Sequence, residues 1–220
     1  MSEQLAEWTG DFGRAYLERN KVNPATRVDW FRKTLRPLRL KSVCEIGANR
    51  AHNLVAIERA LGQKVITFGV EPSADARAAA HDIAMREGDI FNVPFVDRGF
   101  DLAFTSGVLI HVAPENLDAA LREMHRVAGR FLLAIEYADT EDVEVEYRGM
   151  PNMLWRRDYG AHYLRLFPEL RVRECGAMTE ADGFAPGDSY WLLEKTSAGQ
   201  RAHESHTRVA RADSNTKGEA

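Results

Sequence analysis

Three acids stand where short apolar runs give way to polar residues. Glu45 lies in Ser42-Val43-Cys44-Glu45-Ile46-Gly47-Ala48-Asn49, Glu71 in Gly69-Val70-Glu71, and Asp89 in Gly88-Asp89-Ile90. An acid at the carboxyl end of a buried strand can accept hydrogen bonds from a ligand lying across that edge of an α/β sheet, where nucleotide-type cofactors are seated. Glu71 is placed to accept from both ribose hydroxyls. Asp89 is placed to meet the exocyclic amine of adenine, with Ile90 against the ring, and Glu45 to fix an amino group. Gly47 lets the backbone turn tightly and approach a ligand. Asn49 can bond the same ligand or cap the following helix. Singly, each feature reads equally well as a turn glycine or a solvated acid; three at successive strand ends favour a cofactor site. A dinucleotide needs Gly-x-Gly-x-x-Gly. Gly47-Ala48-Asn49-Arg50-Ala51-His52 offers one glycine of the three, so S-adenosylmethionine (SAM) is the expected cofactor.

Chemistry at such a site needs a base and walls. His111 follows the fourth strand-like run on the cofactor edge and is the base candidate for a hydroxyl or a protonated amine. Its alternative is a helix-start histidine that packs or caps. Ser106, at the end of that run, joins the cofactor-facing residues. Tyr147, in the long loop after the fifth run, is the second catalytic candidate. Trp8 and Tyr16, with Phe12 between them, are expected to cover a sulfonium, since ring faces attract cations; the alternative is an amphipathic helix packed on the core. Glu136 and Tyr137 end the fifth run. They are the expected acceptor-binding residues, with Arg148 and Arg157, whose guanidinium groups suit a carboxylate or phosphate. The alternative for Arg156-Arg157-Asp158 is a helix start with a local ion pair. No metal site is expected.

These residues need a scaffold that brings strand ends together. Ser42–Ile46, Lys64–Val70, Phe100–Thr105 and Arg130–Ile135 read as strands. Asn53–Leu61, Ala74–Ile83 and Pro114–Val127 read as helices between them. Strands alternating with helices argue for a doubly wound, mostly parallel sheet. Leu170–Cys175 and Tyr190–Glu194 have no helix pattern between them and read as an antiparallel edge. Residues 1–40 read as a helical lid, 41–196 as the cofactor-binding domain, and 197–220 as a tail too poor in apolar residues to order itself.

Bulk properties bound the function. The chain has 220 residues, enough for one sizeable core. A net charge of -4 argues against nucleic acid as a partner. Two cysteines give no disulfide framework and suit a reducing cytoplasm. No basic-then-apolar leader and no membrane-length apolar run are read. A small-molecule substrate, a cytoplasmic location and a monomer or homodimer are the expectations.

The motifs resemble those of class I SAM-dependent methyltransferases. The blocks are Glu45-Ile46-Gly47-Ala48-Asn49, Gly69-Val70-Glu71, Gly88-Asp89-Ile90-Phe91, Phe100-Asp101-Leu102-Ala103-Phe104 and Gly107-Val108-Leu109-Ile110-His111-Val112. A narrower resemblance, to small methylases associated with pseudaminic acid biosynthesis, rests on five further blocks. They are Trp8-Thr9-Gly10-Asp11-Phe12-Gly13, Ala134-Ile135-Glu136-Tyr137, Tyr147-Arg148-Gly149, Arg156-Arg157-Asp158 and Trp191-Leu192-Leu193-Glu194-Lys195. The resemblance implies a Rossmann-like, seven-stranded sheet and SAM as cofactor. One departure stands out: Ala51 occupies a position where the family usually has glycine. Arg50 and His52 beside it are expected to put charge next to the methionine pocket.

Three functions fit. The first is methyl transfer to a small polar molecule such as a sugar, nucleotide sugar, amino acid or natural-product intermediate. The second is a lyase or cyclase reaction in which SAM's own amino group displaces methylthioadenosine to give a cyclic amino acid. The third is a non-catalytic SAM-binding scaffold.

Overall fold

The computed structural model describes residues 3–62, 64–80 and 83–196. Helices α1 (Glu3–Thr9), α2 (Asp11–Arg19) and α3 (Val28–Leu35) precede the sheet. Strands and helices then alternate: β1 (Ser42–Ile46), α4 (His52–Leu61), β2 (Ile66–Val70), α5 (Ala74–Ala78), β3 (Ala84–Arg86), β4 (Phe100–Ser106), α6 (Pro114–Val127) and β5 (Ala128–Tyr137). A short ribbon of β6 (Val143–Glu144) and β7 (Trp155–Arg156) leads to α7 (Tyr159–Leu166). β8 (Leu170–Ala177) and β9 (Asp188–Lys195) are the last strands described.

Seven strands form one sheet in the order β3-β2-β1-β4-β5-β9-β8. The first five are parallel, while β9 runs antiparallel to both β5 and β8. The chain builds outward from β1 to β3, then returns to place β4 on the other side of β1. The loops after β1 and β4 therefore leave in opposite directions and open a crevice at their carboxyl ends.

Burial explains why these segments are strands. Val43, Cys44 and Ile46 of β1 and Leu102, Ala103 and Phe104 of β4 are fully buried. Continuous burial is what a parallel strand covered on both faces requires. On one face α6 and α7 pack through Leu117, Leu121, Met124, Tyr159 and Tyr163. On the other, α3 and α4 pack through Trp30, Phe31, Leu35, Leu54 and Ile57. α6 buries Leu117, Ala120, Leu121, Met124 and Val127, the helical spacing of one face, and begins at Pro114, where a missing N–H costs nothing.

α5 is shorter than the sequence pattern implied, ending at Ala78 rather than Ile83. Asp158 accepts a hydrogen bond from the Ala161 N–H (2.9 Å) and so caps α7, while Arg156 pairs with Asp139 at 2.9 Å. The 197–220 tail lies outside the described residues. No helix among the described residues is long and apolar enough to cross a membrane.

Candidate active site

A cavity of about 490 Å³ opens at the carboxyl ends of β1, β2 and β4. Glu45, Gly47, Asn49, Glu71, Asp89, Ile90, Ser106, His111, Tyr137 and Tyr147 line it, and Trp8 and Tyr16 reach it from the N-terminal helices. The structure thus brings together residues spread over 140 positions of sequence. Arg148, Arg157 and Glu136 do not line it.

The floor is backbone. Gly47 sits at φ +73, and a Cβ there would lie 2.4 Å from Val108 Cγ2. Only glycine tolerates both that conformation and that approach. The next turn is left-handed without glycine: Asn49 has φ 48 and Ala51 φ 59. A left-handed alanine costs about 1–2 kcal/mol. Glu71 holds this turn, since its carboxylate accepts the N–H groups of Asn49 and Ser73, both at 2.9 Å. Asn49 therefore does not cap α4 with its side chain; its Oδ1 accepts from the Arg50 N–H instead. Asp89 Oδ1 accepts from Phe91 (2.7 Å) and Asn92 (3.0 Å), which fixes the turn beside Ile90 and leaves Oδ2 unused by it.

The wall around Glu45 carries its cation from Arg27 rather than from the expected Arg50. Glu45 is 2% exposed and accepts from Asn53 Nδ2 at 2.7 Å. Its second oxygen, Oε2, is buried with no hydrogen-bond partner. Burial pushes this carboxyl up to about 8. The cation nearby is Arg27, which lines the cavity and donates to Asn53 Oδ1 at 2.5 Å. Arg50, expected here, turns away: its Nε donates to the Leu17 carbonyl of α2, and its guanidinium lies 3.5 Å from Glu18. His52 lines the cavity, but burial, then Arg27, lowers its affinity for a proton.

The opposite wall carries His111. Its Nδ1 lies 2.5 Å from the Met153 carbonyl. A carbonyl only accepts, so Nδ1 bears the proton and Nε2 presents a lone pair. Burial lowers His111 to about 4, so the ring is neutral at neutral pH. Trp8 packs 4.5 Å from the His111 ring and edge-on to Phe12 and Tyr16 at 5.1 Å; Tyr147 completes the wall 5.3 Å from His111. Burial drives the Tyr16 hydroxyl up to about 12, so it stays protonated.

Two residues expected to meet an acceptor instead hold the turn that carries His111. Glu136 is fully buried and accepts from the N–H groups of Val108 (3.0 Å) and Ile110 (3.3 Å). Arg157, also fully buried, donates to the Val112 carbonyl at 2.9 Å and lies 3.5 Å from Asp142. One takes donors and the other satisfies an acceptor of the same turn, and neither lines the cavity, although Arg157 Nε and Nη2 have no hydrogen-bond partner among the described residues. Arg148 is exposed, with its guanidinium 5.7 Å from the centre of the Tyr147 ring.

Sequence reasoning missed Arg27, Asn53 and Asp188, all of which line the cavity. Asp188 begins β9 opposite Tyr137 and is legible as a strand-end acid. Arg27 and Asn53 sit among helix residues and carry no local signal.

Residues 43–129 match the family model of a methyltransferase domain, less than half of the chain. None of the curated proteins matches significantly. Among solved structures, the Burkholderia thailandensis 1,6-didemethyltoxoflavin-N1-methyltransferase, bound to its substrate and S-adenosylhomocysteine, superposes with a TM-score of 0.65. It is 11% identical, over 88% of this chain and 87% of that one. A chain of the complex of the Haloferax volcanii Trm112 methyltransferase activator with a methyltransferase gives 0.64 at 16% identity, over 86% and 98%. A SAM-dependent methyltransferase of Thermotoga maritima gives 0.56 at 14% identity, over 89% and 100%. The fold is thus the Rossmann-like fold of class I methyltransferases.

Proposed function

We propose that this chain is a SAM-dependent methyltransferase acting on a small molecule. The observation that carries it is the orphaned Glu45 Oε2 at the methionine end of a cavity whose floor, at Gly47, admits no side chain. A buried carboxyl oxygen with no hydrogen-bond partner is costly unless a ligand supplies one, and an α-ammonium group does. The cofactor is SAM. Glu45 meets its ammonium group, Glu71 the ribose, and Asp89 and Ile90 the adenine.

When bound, SAM supplies a methyl carbon made electrophilic by an adjacent sulfonium. The chain's residues then have to position a nucleophile in line and keep water out. Trp8, Tyr16 and Tyr147 form a wall whose ring faces favour a cation. His111 Nε2 accepts the proton of an acceptor hydroxyl or amine. Small-molecule pockets run about 300–1,000 Å³. A cavity of about 490 Å³ shared with the cofactor leaves room for a small acceptor only. The Burkholderia and mitomycin 7-O-methyltransferase neighbours act on small molecules by their descriptions. The link to pseudaminic-type sugars rests on the sequence blocks alone, and the buried Arg157 removes one of the two anion clamps that favoured an acidic sugar.

A second reading uses the same wall. A carboxyl pushed up to about 8 can take a proton from the neighbouring ammonium. The freed amine would then form a bond to the γ-carbon as the C–S bond breaks, giving a cyclic amino acid and methylthioadenosine. Calorimetric titration with SAM, followed by turnover against a panel of small alcohols, phenols and amines, tests the leading reading. Acceptor-dependent S-adenosylhomocysteine supports it, and absence of SAM binding rejects every SAM-based reading.

A further inference from the structure

Two groups at the cavity have a fixed hydrogen-bonding sense. Trp8 lines the cavity, and its Nε1 is buried without a hydrogen-bond partner among the described residues. An indole N–H only donates. A buried donor left unpaired is costly, and a ligand atom with a lone pair removes that cost. The His111 ring packs 4.5 Å from the Trp8 ring. Its Nδ1–H is spent on the Met153 carbonyl, so Nε2 only accepts. The hydroxyls of Tyr137 and Tyr147 also line the cavity, and that of Tyr16 accepts from Asn20 Nδ2 at 3.0 Å. Hydroxyl hydrogens rotate to suit a partner, so these three discriminate little. The indole and the imidazole cannot adapt.

A donor beside an acceptor fits an atom that has a proton to give and a lone pair to receive. Attack on a methyl carbon needs one lone pair more. A hydroxyl oxygen meets all three demands, with one proton and two lone pairs. A neutral amine nitrogen has one lone pair, and accepting the indole N–H would block its attack. An ammonium group has none. A carboxylate has no proton for Nε2, and its lone pairs would face the one there. We infer that the acceptor is a small phenol whose hydroxyl is held between Trp8 Nε1–H and His111 Nε2, which makes Trp8 a catalytic residue that sets the acceptor class. This rests on the methyl-transfer reading above. In the step, an oxygen lone pair forms the C–O bond to the methyl group. The C–S bond breaks with its electrons left on sulfur, and the hydroxyl proton passes to Nε2. The products are a methyl ether, S-adenosylhomocysteine and a protonated His111 that returns its proton to solvent.

A phenol suits the site better than an alkyl hydroxyl for two reasons. Burial lowers His111 to about 4, so Nε2 is a weak base. A phenol, at about 10 as in tyrosine, yields its proton to such a base more readily than an alkyl hydroxyl does. The walls are also rings. Trp8, Tyr16, Tyr137 and Tyr147 line the cavity, and Phe12 lies 5.1 Å from Trp8 and 6.0 Å from Tyr147. A planar ring packs edge-to-face or offset against such neighbours.

The test incubates wild type with SAM and, separately, phenol, p-cresol, aniline, p-toluidine and cyclohexanol, and follows S-adenosylhomocysteine. It is repeated with Trp8→Phe, which keeps a ring and loses the N–H. Wild type should methylate each phenol at least about tenfold faster than its matched amine or cyclohexanol, and Trp8→Phe should lower kcat for the phenols by about 10- to 100-fold, the effect of one charge-assisted hydrogen bond. SAM affinity by calorimetry should match wild type. Amines methylated as fast as the phenols by wild type overturn the proposal whether or not the variant folds. Undiminished phenol turnover in Trp8→Phe overturns it too, as does a variant that loses SAM binding together with turnover, since Trp8 would then serve the cofactor or the fold. SAM bound by wild type with neither phenol methylated overturns the phenol assignment alone. Failure of wild type to bind SAM would reject the SAM reading itself.

Discussion

The Nδ1–H of His111 is committed to the Met153 carbonyl, and the turn around it is held by Glu136 on its N–H side and Arg157 on its carbonyl side. The ring is therefore presented to the cavity in one tautomer. His111→Ala should lower kcat by about 10²- to 10⁴-fold, the usual contribution of a positioned base, while SAM affinity measured by calorimetry stays as in wild type. Unaltered turnover would leave His111 a packing residue. Because burial lowers His111 to about 4, the base-dependent limb of the rate profile should not appear near the ordinary histidine value of 6.5 but only toward about 4. Glu71 holds the Asn49 turn and lines the cavity, where it is proposed to face the ribose. Glu71→Ala should weaken SAM binding by about tenfold or more, since a charge-assisted bond exceeds 1.4 kcal/mol. Unchanged affinity would remove Glu71 from the site. At this scale the sequence was most legible where an acid or glycine marks a strand end, as at Glu45, Gly47, Glu71 and Asp89. It misled at Glu136 and Arg157, because residue type alone does not distinguish a polar group facing a ligand from one serving backbone. Arg27 was illegible, since nothing local separates it from the arginines around it.

At the scale of elements, α1 and α2 bring Trp8 and Tyr16 over the crevice, and Arg50 ties the loop after β1 to α2 through the Leu17 carbonyl. Arg50, expected to place charge beside the cavity, instead links the loop after β1 to the N-terminal helices. If those helices act as a lid, removing the Trp8 ring should speed cofactor release. Stopped-flow measurement of SAM dissociation from Trp8→Ala should show a faster off-rate with little change in on-rate. An unaltered off-rate would leave α1 an ordinary packed helix. Strands and α6 were readable because period and burial agree there. α5 was overextended because both its alanine-rich pattern and burial at helical spacing, at Ala76, Ala80 and Ile83, run on past Ala78, where the helix ends.

At the scale of the molecule, the sheet order places the crevice between β1 and β4 and sets a buried acid beside it. The Glu45 carboxyl has an ordinary value of 4.5 and is pushed up to about 8 by burial. The folded protein therefore holds a proton there that the unfolded chain has released. The stability from that proton is full below the ordinary value and is lost as pH rises through about 8. Without ligand, Tm should fall from about pH 6 to about pH 9 more steeply in wild type than in Glu45→Gln, which carries no titrating group there. Parallel curves would show that Glu45 ionises normally. The overall fold was legible because alternation of strand and helix is a whole-chain property. The bridging of Arg27 and Glu45 through Asn53 was not, because it arises only when the N-terminal turn, α4, β1 and the β8–β9 loop meet.

The central claim, methyl transfer, is tested most directly by SAM labelled in its methyl group. The purified protein is incubated with it, with and without the acceptor panel, and products are identified by mass. The expected result is unlabelled S-adenosylhomocysteine formed only with an acceptor, and the label on that acceptor. Labelled methylthioadenosine formed from SAM alone would contradict methyl transfer and identify the cyclisation instead.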